Sequence, residues 1–174
     1  MREFETERLF LRRIREDDAQ RMFECWASDP EVPKYMTWKA HESIDDTKRM
    51  IDGWLKAYDK PDCFRWGIEL KSEKQLIGMI DVVEIVDGEP VIGYCSGKAY
   101  WGNGYMTEAF KAVIPEIFDG GYDSIFIEAV DDNIGSNRVI LKNGFTLIES
   151  KVQKLSDANP ITVKLNSYRL CRER

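Results

Sequence analysis

The chain has 174 residues, a length that predicts one domain spanning 1–174, and its 43% apolar and 32% charged content excludes a disordered polymer. Lys and Arg number 25 against 31 Asp and Glu, a net charge of −6 that excludes a protein coating nucleic acid or an anionic membrane but suits a cationic partner. Cys25, Cys63, Cys95 and Cys171 are widely spaced and His41 is the one histidine, so no metal site is expected and the thiols read as reduced, in a cytoplasmic protein. Met1 to Glu5 is charged with no apolar run behind it, which predicts no signal peptide. No stretch approaches about 18 apolar residues, so no membrane span is expected.

Residues 8–12 read as a first strand. Asp17 and Asp18 offer N-caps to a helix whose apolar face is Ala19, Met22, Phe23 and Trp26, ending at Asp29-Pro30. Ser43, with Asp46 three residues on, caps a second helix striped by Ile44, Thr47, Ile51, Trp54, Leu55 and Tyr58. The period then drops to two: Phe64, Trp66, Ile68 and Leu70 alternate with polar neighbours. Residues 75–86 form a long strand, Asp87-Gly88 a hairpin turn, and residues 90–96 the return. A glycine-rich loop runs from Gly97 to Gly104. The next helix carries Phe110, Val113, Ile114 and Ile117 on one face, is expected to kink or shorten at Pro115, and stops at Gly120-Gly121. Residues 124–130 read as a strand, 133–142 as a short helix, and 145–152 and 161–170 as final strands. Three antiparallel strands followed by a β-α-β crossover imply a mixed sheet with helices on both faces.

The loop Ala99-Tyr100-Trp101-Gly102-Asn103-Gly104-Tyr105-Met106-Thr107-Glu108-Ala109 joins a strand to a helix start. Such a turn can aim successive amides at one anion, which the helix dipole also favours. It is not a Walker A loop, because no Lys-Ser/Thr follows at the right spacing. A dinucleotide fingerprint would need glycine where Thr107 stands. The alternative reading is a tight turn that needs only glycine torsions.

Residues 100–109 resemble the coenzyme A pyrophosphate loop of the GCN5-related N-acetyltransferases (GNAT), most closely the RimJ/RimL-like ribosomal-protein acetyltransferase group. Thr6 to Arg12, Ser28 to Val32, Ile92-Gly93-Tyr94, Asn133 to Asn137 and Lys142 to Phe145 extend the resemblance over nearly the whole chain. It implies a mixed α/β fold with a central sheet of six to seven strands, helices on both faces and a splayed strand pair that takes the coenzyme. Those strands would be 91–96 and 124–130. The resemblance implies coenzyme contacts from Tyr94, Cys95 and Ser96, from Trp101, Gly102, Asn103, Gly104, Tyr105, Met106 and Thr107, and from Asn133, Ser136, Arg138 and Lys142. Acetyl-CoA would be the cosubstrate, without a metal.

Direct attack by an amine on a thioester leaves two proton tasks, one at the amine and one at the departing thiolate. The tyrosine that many relatives use as acid falls at Ile140 here, and Ser136 matches a serine of the ribosomal-protein subgroup. The fourth-strand glutamate of relatives falls near Pro90-Val91. The candidates for the base are Glu84 and Glu128, with Asp81 and Glu84, three apart on one strand, expected on opposite faces. Tyr35, Trp38 and His41 are the candidate acceptor contacts. The expected reaction is acetyl transfer to a protein N-terminal amine. The alternatives are a small amine such as a polyamine, aminoglycoside or amino acid, and an acyl-CoA-binding module without turnover. A homodimer is left open.

Overall fold

The structure, a computed structural model, describes residues 1–172. A single mixed sheet of eight strands runs through it in the order β1-β2-β3-β4-β5-β6-β8-β7. The strands are β1 (Phe4–Glu5), β2 (Leu9–Arg12), β3 (Arg65–Leu70), β4 (Gln75–Val86), β5 (Glu89–Ser96), β6 (Ser124–Val130), β7 (Thr146–Lys154) and β8 (Thr162–Cys171). The expected six to seven strands become eight because Phe4–Glu5 pairs with Leu11 and Phe10, a two-residue strand too short to show a period. The helices are α1 (Ala19–Met22), α2 (Ile44–Ala57), α3 (Tyr105–Asp119) and α4 (Ile134–Lys142). Among the described residues no helix is long and apolar enough to cross a membrane.

Alternation along the strands divides the core between the two faces. Leu9, Leu11, Trp66, Ile80, Ile92, Ile125 and Ile127 pack with Phe110 and Val113 of α3 and Ile140 of α4. On the other face Leu76, Met79 and Cys95 meet Met22, Trp26 and Ile51 from the first two helical segments. The α2 stripe is as its spacing predicts, with Thr47 and Ile51 fully buried. The Asp46 carboxylate accepts from the Ser43 amide at 2.9 Å, closing its N-terminus. Tyr58, just past its end, donates to Arg65 O at 3.2 Å and accepts from Ile14 N at 2.7 Å, and burial pushes its hydroxyl pKa up to about 12.

Three local readings are corrected. The first helix is not continuous: α1 is one α turn that widens into a π turn over Phe23–Ala27. The wider turn carries Trp26 and Ala27 into the core and seats Cys25 where a side chain at Gly97 would clash with its sulfur. Asp18 does not cap that helix with its side chain. It is buried and binds Arg12 through two 2.8 Å bonds, and Arg12 also reaches Glu69 at 2.7 Å. These carboxylates raise the guanidinium pKa in spite of its burial. Pro115 does not shorten α3, which continues to Asp119. Pro115 and Lys111, four residues back, both lie on the exposed face, where water can serve the carbonyl that loses its partner.

The Asp87-Gly88 turn forms as expected, with φ of 51° and 82° closing the β4–β5 hairpin. The hairpin also contains a bulge at Val83: Asp81 faces Gly93 and Val82 faces Ile92, but Glu84 faces Val91. The extra residue resets the alternation, so Asp81 and Glu84 share one face instead of pointing apart. β7 is the free edge, exposed along all nine residues.

Arg12→Ala should cost about 3–5 kcal/mol of unfolding free energy in urea, because it strands Asp18 and Glu69 without their cation. A loss under about 1 kcal/mol would show that solvent already serves those carboxylates.

Candidate active site

β5 and β6 run parallel yet share one bridge, Val91 with Phe126, near their N-terminal ends. Beyond it they part, leaving a slit that opens toward Ser96 and Val130. Backbone groups of β5 that face the slit find no ladder on β6, while on the other side Ile92 to Ser96 pair fully with β4. Unpaired main-chain groups of this kind require a partner with amide-like donors and acceptors. The closed end is laced by Glu89, which accepts from Ser124 Oγ and, at 2.7 Å, from Arg169 Nη2. That engagement accounts for Glu89, the carboxylate beside the family's base position.

The glycine loop lies past the open end of β5. A 3₁₀ turn at Lys98–Tyr100 leads to Trp101, whose indole donates to Ser96 O at 2.9 Å. Gly102 and Gly104 hold φ of 77° and 79°, so the glycine torsions inferred from the sequence are present. The first backbone bond of α3 runs from Glu108 N to Gly104 O at 3.0 Å. The amides of Tyr105, Met106 and Thr107 precede it and point off the helix end, where the dipole is positive. A side chain at Gly102 would meet nothing within 4 Å, so it is the positive φ and not crowding that calls for glycine there.

Sequence reasoning treated Arg8 only as part of the first strand, and the structure gives it a place at the loop. Its guanidinium donates to Asn103 O at 3.0 Å and to Glu108 Oε2 at 2.7 Å, and it stacks 4.5 Å from the Tyr105 ring centre. Glu108 also accepts from the Arg8 amide at 2.9 Å and from Thr6 Oγ1. Burial alone would raise the Glu108 pKa, and these bonds hold it below the usual value instead.

Beyond the open end of β6, Asn133 caps α4 by accepting from Ser136 N at 3.2 Å. Ser136 is half-buried, and its Oγ accepts from the Tyr94 hydroxyl at 2.7 Å. Arg138 and Lys142 are exposed on the same helix. Asn137, quoted earlier only within its motif, ties the helix down. Its amide donates to Val130 O and Asn133 O at 2.9 and 2.8 Å, while its Oδ1 accepts from Tyr168. Ile140 is fully buried in the core, which agrees with the absence of a tyrosine acid at that position.

The carboxylates lie on the other face. Glu128 is on β6, two residues past the bridge, exposed, and accepts from Ser167 Oγ at 2.8 Å. Glu84 is exposed and stands opposite Val91. Asp81 is buried and bound by Arg65 at 2.8–2.9 Å; burial raises its pKa against the pull of that cation. Burial likewise pushes the Cys95 thiol up, so it stays protonated.

Tyr35, Trp38 and His41 gather on the segment between α1 and α2. The Trp38 and His41 rings lie 6.0 Å apart, and His41 Nδ1 is 2.7 Å from Thr47 Oγ1. Burial lowers the His41 pKa, favouring the neutral ring. This segment is strapped to the β7–β8 loop. Asn159 Nδ2 donates to Lys34 O and Met36 O at 3.3 and 3.1 Å, and Ser156 Oγ donates to Thr37 O at 3.0 Å.

Residues 8–146 match the model of the acetyltransferase (GNAT) domain family. The uncharacterized N-acetyltransferase YoaA of Bacillus subtilis is 35% identical over 144 residues, 81% of each chain. The ribosomal-protein-serine acetyltransferase of Escherichia coli is 28% identical over 61% of this chain and 60% of its own. Among solved structures, a GNAT-family acetyltransferase from Bacillus anthracis superposes with a TM-score of 0.85 at 22% identity, covering 98% of both chains. The microcin C7 self-immunity acetyltransferase MccE, in complex with acetyl-CoA and AMP, superposes with a TM-score of 0.81 at 23% identity, over 96% of this chain and 94% of that one. The chain belongs to the GNAT acetyltransferases and is an N-acetyltransferase with acetyl-CoA as cosubstrate.

Proposed function

We propose that this enzyme acetylates a protein N-terminal amine, with the slit between β5 and β6 as the acyl-transfer site. The observation that carries the site assignment is the single bridge between those strands. Slit and loop fit the cosubstrate. The β5 edge at Tyr94, Cys95 and Ser96 offers strand-like donors and acceptors to a pantetheine arm. The cradle of Gly102 to Thr107, with Trp101 beside it, offers amides to a pyrophosphate. Asn133 borders the same opening, and Arg138 and Lys142 supply exposed cations for the outer phosphates.

Acetyl-CoA supplies an acyl group already activated as a thioester, so the chain's own residues need only position the reactants and manage protons. Glu128 is the favoured base. It belongs to a strand that borders the slit, it is exposed, and it lies just beyond the bridge. Glu84 is the second candidate, on the same face but on the far side of β5. An N-terminal amine, with a pKa of about 8, asks little of either carboxylate. Ser136 stands at the opposite face and donates a hydrogen bond at the departing sulfur.

The acceptor reading rests on the carboxylate face and on the aromatic segment beside it. The exposed Glu84 and Glu128 make the entry negative, which suits a cationic amine. Tyr35, Trp38 and His41 offer ring faces to a flexible peptide, and their segment is pinned to the β7–β8 loop at Lys34, Met36 and Thr37. The similarity to the ribosomal-protein-serine acetyltransferase supports a protein acceptor. A small amine is the second reading, favoured by the same negative entry. The four free thiols suit the reducing cytoplasm, where we place the enzyme.

Incubation with isotopic acetyl-CoA and a host lysate, separated by size, should put label into proteins and acid-stable N-terminal amides. Label confined to small molecules would select the second reading. Gly104→Val should abolish coenzyme A binding in calorimetry, because φ of 79° is strained for a β-branched residue and relieving it would shift the amides of Tyr105 to Thr107. Normal binding by a folded variant would overturn the pyrophosphate assignment. Ser136→Ala should lower kcat at least about tenfold and leave the KM for acetyl-CoA within about twofold. An unchanged kcat would reduce Ser136 to a packing residue.

A further inference from the structure

We propose that the Tyr94 side chain is a positioning residue for Ser136, holding its hydroxyl so that the serine proton is presented to the departing sulfur. This rests on the reading of the slit as the acyl-transfer site. Tyr94 lies on β5 with its ring on the α3 side, edge-on to Phe110 at 5.0 Å between centroids. Its hydroxyl crosses to α4 and donates to Ser136 Oγ at 2.7 Å, while the Ser136 amide is separately held by Asn133. Backbone and hydroxyl of one serine are thus fixed by two different elements.

The hydrogen-bond inventory explains what the tyrosine adds. A serine hydroxyl has one proton and two lone pairs. Tyr94 fills a lone pair and leaves the proton free. Without that donor, a serine in the first turns of a helix turns its proton back to a carbonyl of the preceding turn. Burial raises the Tyr94 pKa above its ordinary value. Tyr94 therefore stays a neutral donor at working pH and never sets a phenolate beside a thiolate.

The balance of the step is simple. The carbon–sulfur bond breaks and its electron pair stays on sulfur, which receives the Ser136 hydrogen bond. The proton lost by the amine nitrogen equals the one the sulfur finally gains. Tyr94 and Ser136 both end the cycle protonated as they began. The pair supplies in two residues, on β5 and α4, what the absent tyrosine at Ile140 would supply in one.

The test is Tyr94→Phe, which keeps the ring against Phe110 and deletes only the hydroxyl. It should lower kcat about tenfold with the KM for acetyl-CoA within about twofold, and the double variant with Ser136→Ala should be no slower than Ser136→Ala alone. A binding readout accompanies it: calorimetric Kd of coenzyme A and of a desulfo analogue, from about pH 6 to about pH 10. In the wild type, the preference for coenzyme A over the desulfo analogue should rise at a lower pH than the free thiol titrates. Tyr94→Phe and Ser136→Ala should both move that rise back toward the free-thiol range. Wild-type kcat in Tyr94→Phe, or equal weakening of both ligands with no change in the pH of the rise, would overturn the proposal alone. Failure of the wild type to bind coenzyme A would overturn it together with the reading of the slit.

Discussion

The separation of β5 from β6 is the constraint on which the rest of the molecule depends. Two adjacent parallel strands ordinarily exchange a regular ladder, and leaving it unmade exposes main-chain groups that the interior cannot serve. Here one bridge holds the pair at Val91 and Phe126, and polar side chains fix both ends of the wedge. At the closed end Glu89 joins β5 to Ser124 of β6 and Arg169 of β8. At the open end Asn137 holds α4 to Val130, the last residue of β6, and to Tyr168 of β8.

The same sheet separates the residues to which the proposed function gives the two proton tasks. Glu84 and Glu128 project on the α1/α2 side, while Tyr94 and Ser136 meet on the α3/α4 side. On the proposed mechanism, a group bound within the slit would be reached by a base from one face and by a hydrogen-bond donor from the other, and no carboxylate need approach the developing thiolate. The bulge at Val83 contributes to this sorting by turning Glu84 onto the face of Asp81. Arg65 then neutralises the buried Asp81, leaving Glu84 and Glu128 as exposed carboxylates on that face.

What could be read from the chain was what is local. The α2 stripe, the Asp87-Gly88 turn and the glycine torsions of the coenzyme loop each follow from a few neighbouring residues and a fixed period. What escaped depends on partners distant in sequence. Phe4–Glu5 is a strand only because β2 lies beside it, and the π turn exists because Trp26 and Cys25 must meet β5 and Gly97. The bulge that reverses the alternation at Glu84 has no marker in the run Asp81-Val82-Val83-Glu84, which carries neither glycine nor proline. Ser136 was visible by resemblance, but its bond to Tyr94 joins residues 42 apart. Arg8 and Asn137 likewise show their roles only once strand, loop and helix are assembled.

The net charge of −6 at first sits awkwardly with a phosphorylated cosubstrate, and more so with Glu108 in the first turn of the helix that would hold it. The contacts around Arg8 resolve this. Glu108 spends its charge on Arg8, on the Arg8 amide and on Thr6, so its carboxylate belongs to a clamp that joins the β1–β2 turn to α3. The same guanidinium fixes Asn103 from behind, and the amides of Tyr105 to Thr107 are left free to face outward. The acidic residue thus fixes the shape of the proposed anion site without lending it net charge. The remaining field there comes from oriented peptide dipoles, which an acidic surface elsewhere does not cancel at hydrogen-bonding distance.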